Sequence, residues 1–178
     1  RINDSLRSKL SILENLNPKS LETDKLIPNT FKSFFSFTIT DNNSFLKNYQ
    51  DYLNLNNLKD EFNNLEDIKA INEVTFLQDE EKSVILNLID SNLINQLSFS
   101  KEINFSNEIF NLSSPLGLKD LFNLFDKNLN LKFGILIDSF LVLSSSKNQL
   151  KKILTSYKNK RTLINDISYQ KNKENLLN

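Results

Sequence analysis

The chain has 178 residues, enough for one domain or two small ones, and folding at this size buries roughly 70% of the extended surface. Its 22 basic and 22 acidic residues cancel, which argues against a general nucleic-acid-binding or membrane-surface protein. The sequence contains no His or Cys and only two Gly, which removes the usual general base and zinc ligand, thiolate chemistry, and glycine-rich phosphate loops.

The first 30 residues predict a connecting segment. A loose apolar stripe that suits a helix, or equally a strand entering from a preceding domain, ends at Pro18, and a polar stretch then runs to Pro28. We divide the chain into an N-terminal connection at 1–30, a first α+β unit at 31–100 and a second at 101–178. We expect the units to form one compact domain, and we interpret the sequence as a fragment of a longer chain.

The first unit predicts a strand, a helix, a hairpin and a short helix. Apolar and polar residues alternate from 32 to 40, the period of two of a half-buried strand. Residues 41–43 are expected to turn the chain and cap the helix that follows. Two alternating runs on either side of residues 79–81 predict the hairpin, and residues 91–97 suit the short helix. Four phenylalanines are interpreted as core, with Phe34 as an alternative contribution to a partner interface; they are Phe34, Phe35, Phe37 and Phe45.

The second unit repeats that order. A strand is expected at 105–112, a helix near Gly117, and a hairpin whose turn is Asp138-Ser139. Ser146 and Gln149 have the spacing of a capping box that opens the last helix. The shared order favours an internal duplication. It predicts an α+β fold, an antiparallel or mixed sheet with helices on one face.

Three patterns resemble catalytic or metal sites. Ser144 and Lys147 have the spacing of a serine nucleophile motif, but the same spacing recurs elsewhere, so we favour a helix-cap role over a serine hydrolase. Residues 126–137 begin like a calcium loop but lack its Gly and terminal Glu, which favours a polar turn. Carboxylates at 79–81 suit a solvated hairpin tip better than a weak divalent-ion site. We therefore expect no catalytic residue, metal or cofactor.

A basic stretch supplies the one candidate site. No acidic residue occurs from 139 to 165. The candidate anion or partner patch consists of Lys147, Lys151, Lys152, Lys158, Lys160 and Arg161. It could hold lipid headgroups or a nucleic acid by counterion release. The competing interpretation is a solvated helix face whose charge suits the helix C-terminus.

Three segments of the chain carry a family resemblance, namely LIPNTFKSFFSFTITDNNSFLKNY at 26–49, INEVTFLQDEEKSVILNLID at 71–90, and FGILIDSFLVLSSSKNQLKKILTSYKNKRTLINDISYQ at 133–170. They resemble a family of long, repeated α+β cell-envelope proteins, often predicted lipoproteins, from flavobacteria and related Bacteroidota. The resemblance lies in the local sequence and its spacing, and it carries over no catalytic residues. It implies an envelope location and a structural or partner-binding role.

The predicted function is a non-catalytic structural or protein-binding module of a larger bacterial cell-envelope protein, such as an accessory subunit of an outer-membrane assembly. We expect it on the periplasmic or cell-surface side of the outer membrane, with other envelope proteins as partners and no nucleic acid. The sequence has no run long enough to span a bilayer. The alternative is an anion-binding module that uses the basic helix at 147–161.

Overall fold

The computed structural model describes residues 9–17, 19–58, 65–90, 109–112 and 118–177. The strands are β1 (Ser33–Thr38), β2 (Ile71–Gln78), β3 (Lys82–Leu88), β4 (Phe110–Asn111), β5 (Phe133–Ile137) and β6 (Phe140–Ser144). The helices are α1 (Asn42–Leu55), α2 (Lys119–Phe125), α3 (Lys147–Lys158) and α4 (Ile167–Leu177). Short 3₁₀ helices occur at Lys9–Leu13, Thr23–Lys25, Leu65–Ala70 and Leu163–Asn165. None of the described helices is long and apolar enough to cross a bilayer.

The six strands form one sheet in the order β1-β2-β3-β6-β5-β4, and every pairing is antiparallel. The predicted α+β class and antiparallel sheet are confirmed, as are the hairpins at 79–81 and 138–139. Because β3 pairs with β6, strands from both units share one sheet. The helix expected at 91–97 lies outside the described residues, so the internal duplication stays a prediction.

Helices lie on both faces of the sheet, which corrects the expectation of a single helical face. On β3, Val84 and Leu86 join the core cluster that contains α1 and α2, whereas Ile85 joins the cluster that contains α3. The physical reason lies in the central strands, where β6 is buried at every position and β3 at all but its first. Strands that are apolar on both sides need a covering layer on each face.

The N-terminal segment contributes more than the predicted connection. Leu26 and Ile27 are fully buried in the cluster beneath α3, while Ile12 is buried in the cluster beneath α1. Pro28 also forms an isolated antiparallel bridge with Thr162. Ile12 therefore lies on one face of the sheet and residues 26–27 on the other, so the N-terminal segment adds to both cores.

Side-chain caps set the beginnings of α1 and α3. Asp41 accepts backbone N–H groups at the start of α1, and hydrogen bonds from Ser44 lower the pKa of the Asp41 carboxyl. Ser146 caps α3 in the same way. The predicted capping box is only half formed, because the N–H of Ser146 donates to Ser144 Oγ while Gln149 is buried against the sheet.

Candidate functional site

Half of the predicted basic patch shares one flank of α3. Lys147, Lys151 and Lys158 are exposed and lie at i, i+4 and i+11, positions that fall on the same side of a helix. The Lys147 ammonium lies 5.1 Å from the centroid of the Phe133 ring. Lys160 and Arg161 follow the helix and are also exposed.

Lys152 does not belong to that flank. Its Nζ lies 2.5 Å from Asp79 Oδ2 in the β2–β3 turn and 5.0 Å from the centroid of the Phe31 ring. The hydrogen bond from Lys152 lowers the pKa of the Asp79 carboxyl. The neighbouring Glu81 accepts a hydrogen bond from Ser145. The hairpin tip, which we expected to be solvated, therefore contacts α3 and the residue Ser145 that precedes it. The ion pair with Asp79 offsets the positive charge of Lys152 in the basic patch.

Ser144 has a structural role. It is fully buried, its Oγ donates to the carbonyl of Lys82 and accepts from Ser83, and it receives the N–H that precedes α3. Lys147 points instead toward the Phe133 ring. These two residues do not form a nucleophile and base pair, so the geometry favours the structural interpretation of the motif over the serine hydrolase.

Asp126 is engaged in the polar turn predicted for this segment. It forms an ion pair with Lys82 at 2.6 Å, and its Oδ1 accepts the N–H of Asn128 at 3.1 Å. Among the residues that the structure describes, no group of three or more acidic side chains is placed to hold a metal ion.

A buried carboxylate cluster, which the sequence did not reveal, joins β1, β2 and the 3₁₀ helix at Thr23–Lys25. Glu73 is 1% exposed and accepts the N–H of Glu22 at 2.9 Å and that of Thr23 at 3.3 Å. The hydroxyls of Thr23 and Ser36 donate to the same carboxylate, and Thr75 links them at 2.7 and 2.6 Å. The cluster fixes residues 22–23 on the sheet. The only sequence signal for this cluster was that Glu73 and Thr75 occupy alternate positions of β2, a strand that is buried on both faces.

A neighbouring ion pair attaches α4 to the same place. Lys173 Nζ lies 2.6 Å from Asp24 Oδ2, and the Asp24 side chain is 1% exposed. The other Asp24 oxygen is buried and has no hydrogen-bond partner among the described residues. Burial, followed by the charges of Asp24 and Glu73, raises the pKa of Tyr169 on α4. Together these contacts hold the N-terminal segment and the C-terminal helix on one face of the sheet.

An open cleft of about 610 Å³ lies on the opposite face, between the 3₁₀ helix at Lys9–Leu13, the sheet and the end of α2. Its apolar wall includes Leu10, Phe35, Phe76 and Phe125. Phe35, interpreted from the sequence as core, is 37% exposed, whereas Phe37 and Phe45 are buried as expected. We call this feature the aromatic cleft.

The outer edge of β1 presents unpaired backbone groups. The N–H of Ile39 donates to the carbonyl of Asn72, so alternate residues from Ile39 backward face β2. The N–H and C=O groups of Phe34, Ser36 and Thr38 therefore point away from the sheet. Among the described residues, no backbone group outside β2 forms a hydrogen bond with the backbone of this strand.

Comparison with family models, curated proteins and solved structures finds no match to this chain. The functional conclusion therefore rests on three surfaces, which are the edge of β1, the basic flank of α3 and the aromatic cleft.

Proposed function

We propose that this chain is a non-catalytic protein-binding module of a larger bacterial cell-envelope protein, and that it binds an extended segment of a partner at the edge of β1. The open backbone edge carries the proposal. An edge strand is a template for another chain, and addition of a strand supplies affinity through main-chain hydrogen bonds. The envelope location is supported by the resemblance of segments 26–49, 71–90 and 133–170 to cell-envelope proteins.

The side chains beside this edge suit an added strand. Phe34 lies on the α3 face, with its ring centroid 6.5 Å from that of Tyr169. Phe35 lies on the other face and is partly exposed. Because successive residues of an added strand point to opposite faces, apolar side chains of the partner would contact both rings.

The first half of β1 is the more accessible half. At the second half, the N–H of Lys19 donates to the side chain of Thr38, and a groove of about 230 Å³ separates Leu16 and Leu21 from the strand. Ser33 and Phe34 lie before the part of β1 that borders this groove. We therefore place the centre of the contact at Phe34.

A proline substitution tests the pairing directly. Phe34→Pro removes the outward N–H, whereas Phe34→Ala removes the same ring and keeps that N–H. Both variants are made in the full-length protein with a photo-crosslinking amino acid at the exposed Ser33, and crosslinks are formed in the native envelope. A crosslinker at Ile167, which is 75% exposed on α4, gives the background.

We expect a crosslinked partner from position 33 that survives Phe34→Ala and is lost in Phe34→Pro. Equal crosslinking in the two variants would show that the backbone edge does not make the contact. If positions 33 and 167 gave the same products, the proposal would fail.

The second candidate function is anion binding by the flank of α3. The observation in its favour is that Lys147, Lys151 and Lys158 share one exposed side of the helix. Cosedimentation with phosphatidylglycerol vesicles at low and high salt tests it, because binding by exposed lysines should weaken as salt increases. The Lys152→Gln variant is the matched control, since this lysine is paired with Asp79.

A further inference from the structure

We propose that the aromatic cleft binds a small amphipathic carboxylate, with its apolar chain against the phenylalanine wall and its charged group at Lys9. The site is separate from the backbone edge of β1, although the side chain of Phe35 borders both. The proposal rests on the shape of the wall and on the charges at its rim.

The wall is built on paired strands and a helix end. Phe35 and Phe76 are cross-strand partners in β1 and β2, with ring centroids 6.3 Å apart. Phe125 of α2 lies 5.4 Å from the first ring and 5.5 Å from the second. These positions are set by the sheet register and by helix packing, so the surface is formed before a ligand arrives. A volume of about 610 Å³ falls within the range of small-molecule clefts, roughly 300–1,000 Å³.

The apolar surface of the cleft remains accessible. Leu10 is 58% exposed and Phe35 is 37% exposed, although both border aromatic neighbours that are largely covered. An apolar chain laid over these two side chains would remove their surface from water, and the affinity should increase with the apolar area that is buried. The wall therefore favours a ligand with an apolar body, and the charges at the rim of the cleft determine which head group binds.

The rim selects an anion. Asp126 lines the cleft, but both of its oxygens contact the ammonium of Lys82, at 2.7 and 2.6 Å, which offsets its charge. Lys9 also lines the cleft and forms no ion pair with the residues that the structure describes. The uncompensated charge is therefore positive. An apolar ligand with a terminal carboxylate matches both the wall and the rim, whereas an alkylammonium would be repelled.

Three ligands with the same ten-carbon apolar chain separate the contribution of the phenylalanine wall from that of the charge of Lys9. Decanoate, decan-1-ol and decylammonium are titrated into the protein by calorimetry, each below its micelle concentration or solubility limit. We expect decanoate to bind about fivefold more tightly than decan-1-ol, which corresponds to one partly exposed ion pair, and decylammonium to bind most weakly.

Two variants assign the contacts. Lys9→Gln should weaken decanoate binding about fivefold and leave decan-1-ol binding unchanged. Phe35→Ser should weaken all three ligands about tenfold because it removes part of the wall. Leu55→Ser is the control, since Leu55 is 50% exposed at the end of α1 and does not line the cleft.

Thermal unfolding of each variant accompanies the titrations. Absence of binding by all three ligands up to the concentrations that their solubility allows, or tighter binding of decylammonium than of decanoate, would overturn the proposal. So would an equal loss of decanoate and decan-1-ol affinity in Lys9→Gln, a surface variant that is expected to fold normally. These measurements use no partner protein, so they can fail while strand addition at β1 holds.

Discussion

Replacing Glu73 by leucine should destabilise the protein through hydrogen-bond donors left without an acceptor. The carboxylate accepts two backbone N–H groups, from Glu22 and Thr23, and hydroxyl groups from Thr23 and Ser36. The hydroxyls can rotate and pair with the hydroxyl of Thr75, which already lies within 2.7 Å of both. The two backbone donors have no such alternative, so they determine the cost.

A buried donor without a partner costs about 1–3 kcal/mol. The N–H of Thr23 is buried and that of Glu22 is partly buried, so water can reach the second more easily. Removing the charge also relieves part of its desolvation penalty. We therefore expect Glu73→Leu to lower the free energy of unfolding by about 2–4 kcal/mol. Glu73→Gln keeps one acceptor oxygen and should cost about 1–2 kcal/mol.

Urea unfolding followed by far-UV circular dichroism measures these differences, provided that the dependence on urea is unchanged between variants. Amide hydrogen exchange gives a local measurement, since the N–H groups of Glu22 and Thr23 should lose protection in Glu73→Leu. Glu22→Gln is the matched control, because that carboxylate is 48% exposed in a surface ion pair with Lys25 and should cost less than about 0.5 kcal/mol. If Glu73→Leu cost no more than Glu22→Gln, the assigned role of the buried carboxylate would be wrong.

Three further substitutions test packing, electrostatics and capping. Gly134→Ala should cost about 1–3 kcal/mol, because the added Cβ would lie 2.5 Å from the Phe110 ring, and the loss should shrink when Phe110→Ala is combined with it. Lys152→Gln should lower stability by about 0.5–1 kcal/mol at pH 7. The pairing lowers the pKa of Asp79, so its contribution is present above the ordinary Asp pKa of about 3.9 and is lost as pH falls through the lowered pKa. The difference in urea unfolding should therefore be smaller at pH 2 than at pH 7, and equal differences would contradict the assignment. Ser146→Ala should cost about 1 kcal/mol and Ser146→Gly only a few tenths, and equal effects in urea unfolding would rule out a side-chain cap.

The candidate surfaces were only partly predictable. The basic stretch was visible because the charges of Lys147, Lys151 and Lys158 follow one another along the chain. The pairing of Lys152 with Asp79 was not, because these residues are separated by 73 positions and meet only when α3 packs across the sheet. The aromatic cleft likewise combines Phe35 with Phe125, which come together through the packing of α2 on β1 and β2.

The sequence by itself determined the local elements. The alternation in β1, the turns at 79–81 and 138–139, and the caps at 41–43 and at Ser146 predicted strands, hairpins and helix starts that the structure confirms. Those signals span a few residues, where backbone geometry alone relates sequence to structure. Tertiary structure decided the strand order, the face that each helix covers and the burial of Glu73. The alternation along a strand predicts which residues are buried. Only the segments that pack on the strand determine whether a buried carboxylate such as that of Glu73 can be hydrogen bonded.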